Sequence, residues 1–193
     1  MKSFDNDEQL LAEYVAAFGI LDDLENYDEF GGARRQPQKV ATAPFALTNL
    51  YSGLGLTGVG SSRFPTLYET LLLSYRWGGV ELDHHCLFAN EPGEDFAPLL
   101  SAIRRDKSLS ETLEANGYIP FGQVADRYDP LCFDLRQQQK EGDCRIVRID
   151  HEAILCRGRI GEITEIAHSF RSLVLHTINR VATKESSLSL AED

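Results

Sequence analysis

Leu131-Cys132-Phe133-Asp134-Leu135, then Cys144-Arg145-Ile146-Val147-Arg148-Ile149, then Ala153-Ile154-Leu155-Cys156 are the runs whose reading decides the fold. The first alternates Leu131, Phe133 and Leu135 against Cys132 and Asp134, the period of a strand with its two sets of side chains on opposite faces. The second is a β-rich run and the third a short apolar one. Polar breaks at Gln137 to Asp143, at Asp150-His151-Glu152 and at Arg157-Gly158 separate and close them. Strands on such short connections must be antiparallel, because a parallel crossover needs about a dozen residues or more. The reading is a meander, with Asp150 to Glu152 as the polar junction between two strands.

Upstream the period changes from two to 3.6. Leu11, Tyr14, Val15, Phe18 and Leu21 recur at helical spacing and predict an amphipathic helix over residues 6–25, opened by a capping box of Asp5 and Glu8. Pro65 at a first helical position, followed by Leu67, Leu71, Leu72 and Tyr75, predicts a helix over 65–76. Gly78 or Gly79 ends it in a left-handed cap, and Val80-Glu81-Leu82 enters a strand. Phe96, Leu99, Leu100 and Ile103 form a further helical stripe, and Leu109 with Leu113 a short one stopped by Asn116-Gly117. Ile163, Ile166, Ala167, Phe170, Leu173, Val174 and Ile178 set a last helix, after which Ser186 to Asp193 loses its period.

The expected fold is α+β: one domain over residues 6–180, a mostly antiparallel mixed sheet with helices packed on one side. Residues 26–62 are read as an insertion or extended loop, and 183–193 as a flexible acidic tail.

A chain of 193 residues with 42% hydrophobic and 25% charged content has the composition of one globular domain with a full core. It holds no stretch of about eighteen uncharged apolar residues, and Asp5, Asp7 and Glu8 stand where a signal peptide would turn apolar. The expectation is a soluble, cytoplasmic protein that binds neither membrane nor nucleic acid. Its formal charge of −11 repels phosphate backbones and favours a basic protein partner. Cys86, Cys132, Cys144 and Cys156 lack C-x-x-C spacing and sit in apolar runs, so they read as reduced core thiols; the twelve-residue steps between the last three suggest successive strands.

Two patterns in the chain look catalytic. Gly53-Leu54-Gly55-Leu56-Thr57-Gly58 matches the dinucleotide fingerprint, follows a strand-like Phe45 to Leu50 and precedes Glu81 by about twenty residues. Its third glycine should lie in the helix it opens, whereas the next helix starts only at Pro65, so a flexible glycine loop is the better reading and no cofactor is expected. The other pattern pairs Asp83-His84-His85 with Asp150-His151-Glu152 as a two-cluster metal site. Neighbouring residues of a strand face opposite ways and neither cluster has helical metal-ligand spacing, so no metal is expected and the alternative stays a hydrolase built on Asp83, His84, Asp150 and His151.

Four short patterns in order carry a family resemblance: Phe64-Pro65 with Tyr68 leading to Trp77-Gly78-Gly79, Leu131-Cys132-Phe133-Asp134, Asp150-His151-Glu152, and Ala167-His168-Ser169-Phe170 with Leu173. Together they resemble the SUKH superfamily, which includes bacterial toxin-immunity proteins and yeast regulators of cell-wall synthesis. Trp77 stands where that family has Asn, and residues 26–62 fall outside the likeness. The resemblance implies binding rather than turnover: a non-catalytic domain that neutralises a basic toxin, or a regulatory scaffold. The residues chosen for the docking face are Trp77, Tyr128, Asp129, Asp134 and Glu152. Trp77 also suits a core anchor at a helix end, while the alternation around Phe133 turns Asp134 toward the surface.

Overall fold

Along the chain the first half forms α1 (Asp7–Leu21), β1 (Gln38–Lys39), α2 (Phe45–Gly53), α3 (Thr66–Ser74), β2 (Tyr75–Arg76), β3 (Val80–Leu82), β4 (His85–Leu87) and α4 (Ala97–Ile103). The second forms α5 (Lys107–Ala115), β5 (Tyr118–Val124), β6 (Pro130–Asp134), β7 (Ile146–Ile149), α6 (His151–Arg157), β8 (Ile163–Ala167) and α7 (Phe170–Ser189), with a 3-10 turn at Leu135–Gln137. The computed structural model describes residues 4, 6–21, 37–57, 63–82, 85–91, 95–124, 127–138 and 142–189. The fold is a single α+β domain. Its main sheet runs β3-β4-β5-β6-β7-β8, every neighbour antiparallel and consecutive in sequence, so the meander stands and extends over six strands. A two-stranded sheet pairs β1 with β2.

The larger core lies on the sheet face bearing Ile119, Leu131, Phe133 and Ile146, packed against α1, α2, α3 and α7. Aromatic rings organise it. Phe121 stacks on Phe133 at 4.2 Å, and Tyr68 and Phe170 meet Phe133 at 4.9 Å and 5.8 Å, geometries that add to the burial itself. The opposite face is covered as well: Tyr118, Cys132, Val147 and Ile149 join Leu113 of α5 and Ile154 of α6 in a smaller buried cluster. Both sets of side chains of β6 are therefore inside. All five of its residues are buried, although its sequence alternates like a half-exposed strand.

Several boundaries differ from the sequence reading, each for a local reason. Phe45 to Leu50 is helix, not strand: α2 buries Ala46, Leu47, Leu50 and Tyr51 at helical spacing, so part of the span read as insertion belongs to the core. Its continuation ends in Gly55 at φ +72°, which places Gly53 and Gly55 at a helix C-terminus. That end presents carbonyls, which repel phosphate. Gly58 lies outside the described residues.

α3 stops at Ser74, and neither Gly78 nor Gly79 is left-handed. Side chains do the work assigned to the glycines. The buried Arg76 donates Nη1 to the Leu72 carbonyl at 2.6 Å and to the Tyr75 carbonyl at 3.2 Å, and Asn90 Nδ2 donates to the same two oxygens at 3.3 and 2.8 Å. The orphan carbonyls of the helix end are thus satisfied without a glycine turn. Arg76 also sits 5.0 Å over the Phe96 ring, and burial holds its guanidinium below its ordinary pKa.

Ala153 to Cys156 is helix rather than strand. Asp150 caps it by accepting from the Glu152 N–H at 3.0 Å, and Gly158 at φ +62° ends it, so the junction Asp150 to Glu152 opens α6 instead of turning between strands. Ile163, Ile166 and Ala167 form β8, paired with β7, and the last helix begins only at Phe170. There Ser169 Oγ accepts from the Ser172 N–H at 3.0 Å and Asp143 from the Phe170 N–H at 2.9 Å. At the other end α7 runs through Ser189, into the span read as tail; residues 190–193 lie outside the described residues. At the start of α1 Asn6 Oδ1 accepts from the Gln9 N–H at 2.8 Å; Asp5, on which the expected capping box falls, and residues 22–25 lie outside the described residues.

All four cysteines are free thiols. Cys132 and Cys144 are buried as expected: burial first, with Asp134 nearby, pushes the Cys132 thiol well up, and burial pushes Cys144 up to about 12. Cys156 contradicts the core reading. It is exposed on α6, so the twelve-residue steps do not record three strands.

Candidate functional site

Strand register brings three sequence-distant segments to one end of the sheet. Gln123 lies opposite Pro130, Leu131 opposite Arg148, and Ile149 opposite Ile163. The turn before β6, the exit of β7 into α6 and the entry of β8 therefore adjoin. The turn itself is pinned by the Val124 backbone, which donates to the Asp129 carbonyl at 2.8 Å and accepts from the Tyr128 N–H at 3.2 Å. Between those bonds Tyr128 adopts φ 58° with its side chain 70% exposed. It is the sole non-glycine among the described residues with positive φ. A left-handed backbone costs a residue with a Cβ about 1–2 kcal/mol, and a bulky one is an outlier there.

Beside Tyr128 the chain turns inward. Asp129 is buried; its Oδ1 accepts from the His151 backbone N–H at 3.2 Å and from His151 Nδ1 at 2.8 Å. Its other oxygen lies 3.7 Å from Arg148 Nε, and Arg148 Nη2 donates to Thr164 Oγ1 at 3.0 Å. Asp150 adds a third carboxylate-or-imidazole donor: ligand atoms of Asp129, Asp150 and His151 all lie within 4.8 Å of one another. Such a set has the donor chemistry to hold a divalent cation. The protein already satisfies it, however, with Arg148 and the His151 ring on Asp129 and the Glu152 N–H on Asp150. The cluster locks the Tyr128 turn to the start of α6.

Of the residues chosen for a docking face, Tyr128 and Glu152 are exposed, Glu152 in the first turn of α6. Trp77, at 2% exposure, is a core anchor that packs edge-on against Phe18 at 6.1 Å. Asp134 is fully buried, correcting its surface assignment. It faces the second, covered side of the sheet, where Arg136 Nε donates to it at 2.9 Å and Arg145 Nη2 at 2.6 Å. Burial alone pushes the Asp134 carboxyl up, but the hydrogen bonds from Arg136 and Arg145 together outweigh it and hold the group below its ordinary value. Asp83 and His84 lie outside the described residues, whereas Asp150 and His151 join Asp129.

Sequence reasoning missed two members of this end of the sheet, Arg148 and Ile163, and one exposed side chain of the helix that leaves it, Leu155. Arg148 was read only as a strand residue, yet it supplies the cation beside Asp129. Leu155, on α6, and Ile163, entering β8, are exposed apolar side chains at 49% and 40%. A signal for Leu155 was present: Asp150 as cap and Gly158 as stop mark a helix whose face turns Leu155 away from Ala153 and Ile154. No protein-family model matches the chain, and no curated protein or solved structure matches it either.

Proposed function

We propose that the chain is a non-catalytic protein-interaction domain that docks a partner through the sheet end around Tyr128. The observation that carries this reading is the Tyr128 side chain, exposed at 70% on a left-handed backbone that hydrogen bonds on both sides hold in place. A bulky residue in such a conformation weakens the free protein, and the cheaper residues for that position are Gly or Asn. A rigid, exposed aromatic makes sense as an anchor, because it loses little side-chain freedom when it inserts into a partner's pocket. Ile163 adds apolar area and Glu152 a rim charge at the same end.

The resemblance to SUKH proteins and the charge of −11 favour a basic toxin as partner, with a regulatory target as the other member of this class. Asp129 and Asp134 do not belong to the docking charge, since both are buried and ion-paired. Capture of partners from an extract of the host cell, with the native chain and with Tyr128→Ala side by side, tests the reading. A protein retained by the native chain and lost with the variant supports it; equal retention on both refutes it.

The Asp129, Asp150 and His151 cluster favours one reading of a different class, a metal-dependent hydrolase that enlists Asp129 instead of Asp83 and His84. Elemental analysis after dialysis separates the two. One ion per chain, lost on His151→Ala, supports the hydrolase.

A further inference from the structure

The main sheet ends at β8, which among the described residues pairs with β7 alone. The backbone of this outer strand has two distinct sides. The Asp150 N–H donates to the Glu162 carbonyl at 3.0 Å, so Glu162 turns its backbone groups toward the sheet. In an antiparallel ladder both groups of one residue point the same way and successive residues alternate. Thr164 therefore bonds toward β7, opposite Arg148, while the N–H and C=O groups of Ile163 and Glu165 point away from it. One step further the register shifts: Val147 lies opposite Glu165 and Ile146 opposite Ala167, which leaves Ile166 as a bulge. The regular part of the outer edge thus runs from Ile163 to Glu165.

That edge is open to solvent. Ile163 is 40% exposed and the Glu165 side chain 49%. Edge strands are commonly protected from other chains by lysine, proline or an unopposed charge. β8 holds neither lysine nor proline, and its one acid is countered, since Arg145 Nη1 lies 3.4 Å from Glu165 Oε2. The segment 157–167 is also balanced in charge, with Arg157 and Arg159 against Glu162 and Glu165, in a chain whose net charge is −11. The overall charge repels a second copy at long range, and this segment adds nothing to that repulsion.

We infer that β8 pairs with β8 of a second copy of this chain, antiparallel about a two-fold axis at Thr164, joining the two six-stranded sheets into a homodimer. In that register Ile163 of each chain lies opposite Glu165 of the other, and every outward N–H and C=O group of both residues finds a partner. Thr164 faces Thr164 of the second copy, a β-branched cross-strand pair, and neither glutamate stands directly opposite the other. The two-fold operation uses the same edge of both chains, so the assembly closes at two copies instead of growing into a fibre. A strand from a basic protein could use the same backbone groups, but this segment has no net negative charge to draw it in. The pairing is independent of the docking reading, because Tyr128 takes no part in it.

Sedimentation equilibrium of the full chain up to about 1 mM tests the assignment. The expected result is a monomer–dimer equilibrium with a dissociation constant between about 10 µM and 1 mM, the affinity of a small interface. Ile163→Pro removes one outward N–H at the first residue of the strand, where proline leaves the β7 ladder intact, and should weaken the dimer by at least about tenfold. Amide hydrogen exchange of the native chain supplies a second readout. The Ile163 and Glu165 amides should gain at least about fivefold protection between dilute and concentrated samples, whereas the Thr164 amide, bonded toward β7, should be protected in both. If Ile163→Pro loses the native fold, this exchange decides the matter. A chain that stays monomeric at about 1 mM, or that assembles beyond a dimer, would overturn the proposal. So would undiminished dimerisation of a folded Ile163→Pro chain, or exchange at Ile163 and Glu165 that ignores concentration.

Discussion

The Trp77 backbone N–H donates to the Asn90 carbonyl at 3.0 Å, and the Asn90 N–H donates back to the Trp77 carbonyl at 3.0 Å. This isolated bridge ties the exit of α3 to the chain leaving β4. Trp77 Nε1 reinforces it by donating to the Phe88 carbonyl at 3.0 Å, and Asn90 simultaneously caps α3. Trp77 is a joint of the fold.

Trp77→Ala should therefore lower stability by about 3–5 kcal/mol, the range for emptying a large aromatic site in a core. Trp77→Phe, which loses the indole hydrogen bond and part of the volume, should cost less. Chemical denaturation measures both. A Trp77→Ala chain as stable as the native one would contradict the joint.

Asp134 gives the fold an acid limit. Its carboxyl is held below its ordinary pKa in the folded chain, so the unfolded chain takes up the proton first as pH falls. The stabilisation is complete above the unfolded value near about 4 and disappears as pH falls through the lower folded value. Asp134→Asn should lose about 2–4 kcal/mol at neutral pH, less than a wholly buried pair because Arg136 and Arg145 remain partly in water. Melting curves from pH 7 to pH 3 should show the native chain and the variant converging at the acid end.

Gly122 tolerates no side chain. A Cβ there meets the Cys86 carbonyl oxygen at 2.4 Å, on the backbone of the paired strand β4. Gly122→Ala should destabilise by roughly 2–4 kcal/mol through forced movement of a strand. Gly79→Ala has open space and an ordinary backbone, and should stay within about 0.5 kcal/mol of the native chain. Thermal melts in the reverse order would refute the assignment of α3's end to Arg76 and Asn90.

Tyr128→Asn separates docking from stability. Asn accepts the left-handed backbone more readily, so the variant should be as stable as the native chain or more stable by up to about 1 kcal/mol. Loss of stability beyond that window would mean that the ring supports the fold.

Thiol labelling should divide the cysteines. Cys156 should react with a thiol reagent in the native chain, while Cys132 and Cys144, buried and with raised pKa values, should react only on unfolding.

The antiparallel neighbours β6 and β7, α4, α5 and the core stripe of α1 were legible because each rests on periodicity or on a stop such as Asn116-Gly117, where Gly117 takes φ +76°. α6 was misread because four apolar residues in a row carry no period, although Asp150 and Gly158 marked both its ends. β8 was absorbed into the last helix because Ile163, Ile166 and Ala167 also fit spacings of three and four, and only pairing with β7 decides between them. The site was legible in part. Tyr128 and Asp129 were singled out as residues, but nothing local tells that Asp129 meets His151 across 22 positions, or that both faces of β6 are covered.

The packing of α1 against α7 sets an order of events during synthesis. Tyr14 of α1 meets Phe170 of α7 edge-on at 6.3 Å, and Asp7 pairs with Arg171, so α1 finds this partner only once α7 has left the ribosome. The strands of the meander pair as they emerge, each with its predecessor. Until α7 arrives, Leu10, Leu11 and Tyr14 have part of their cover missing, and α1 keeps apolar surface exposed while the strands between the two helices pair.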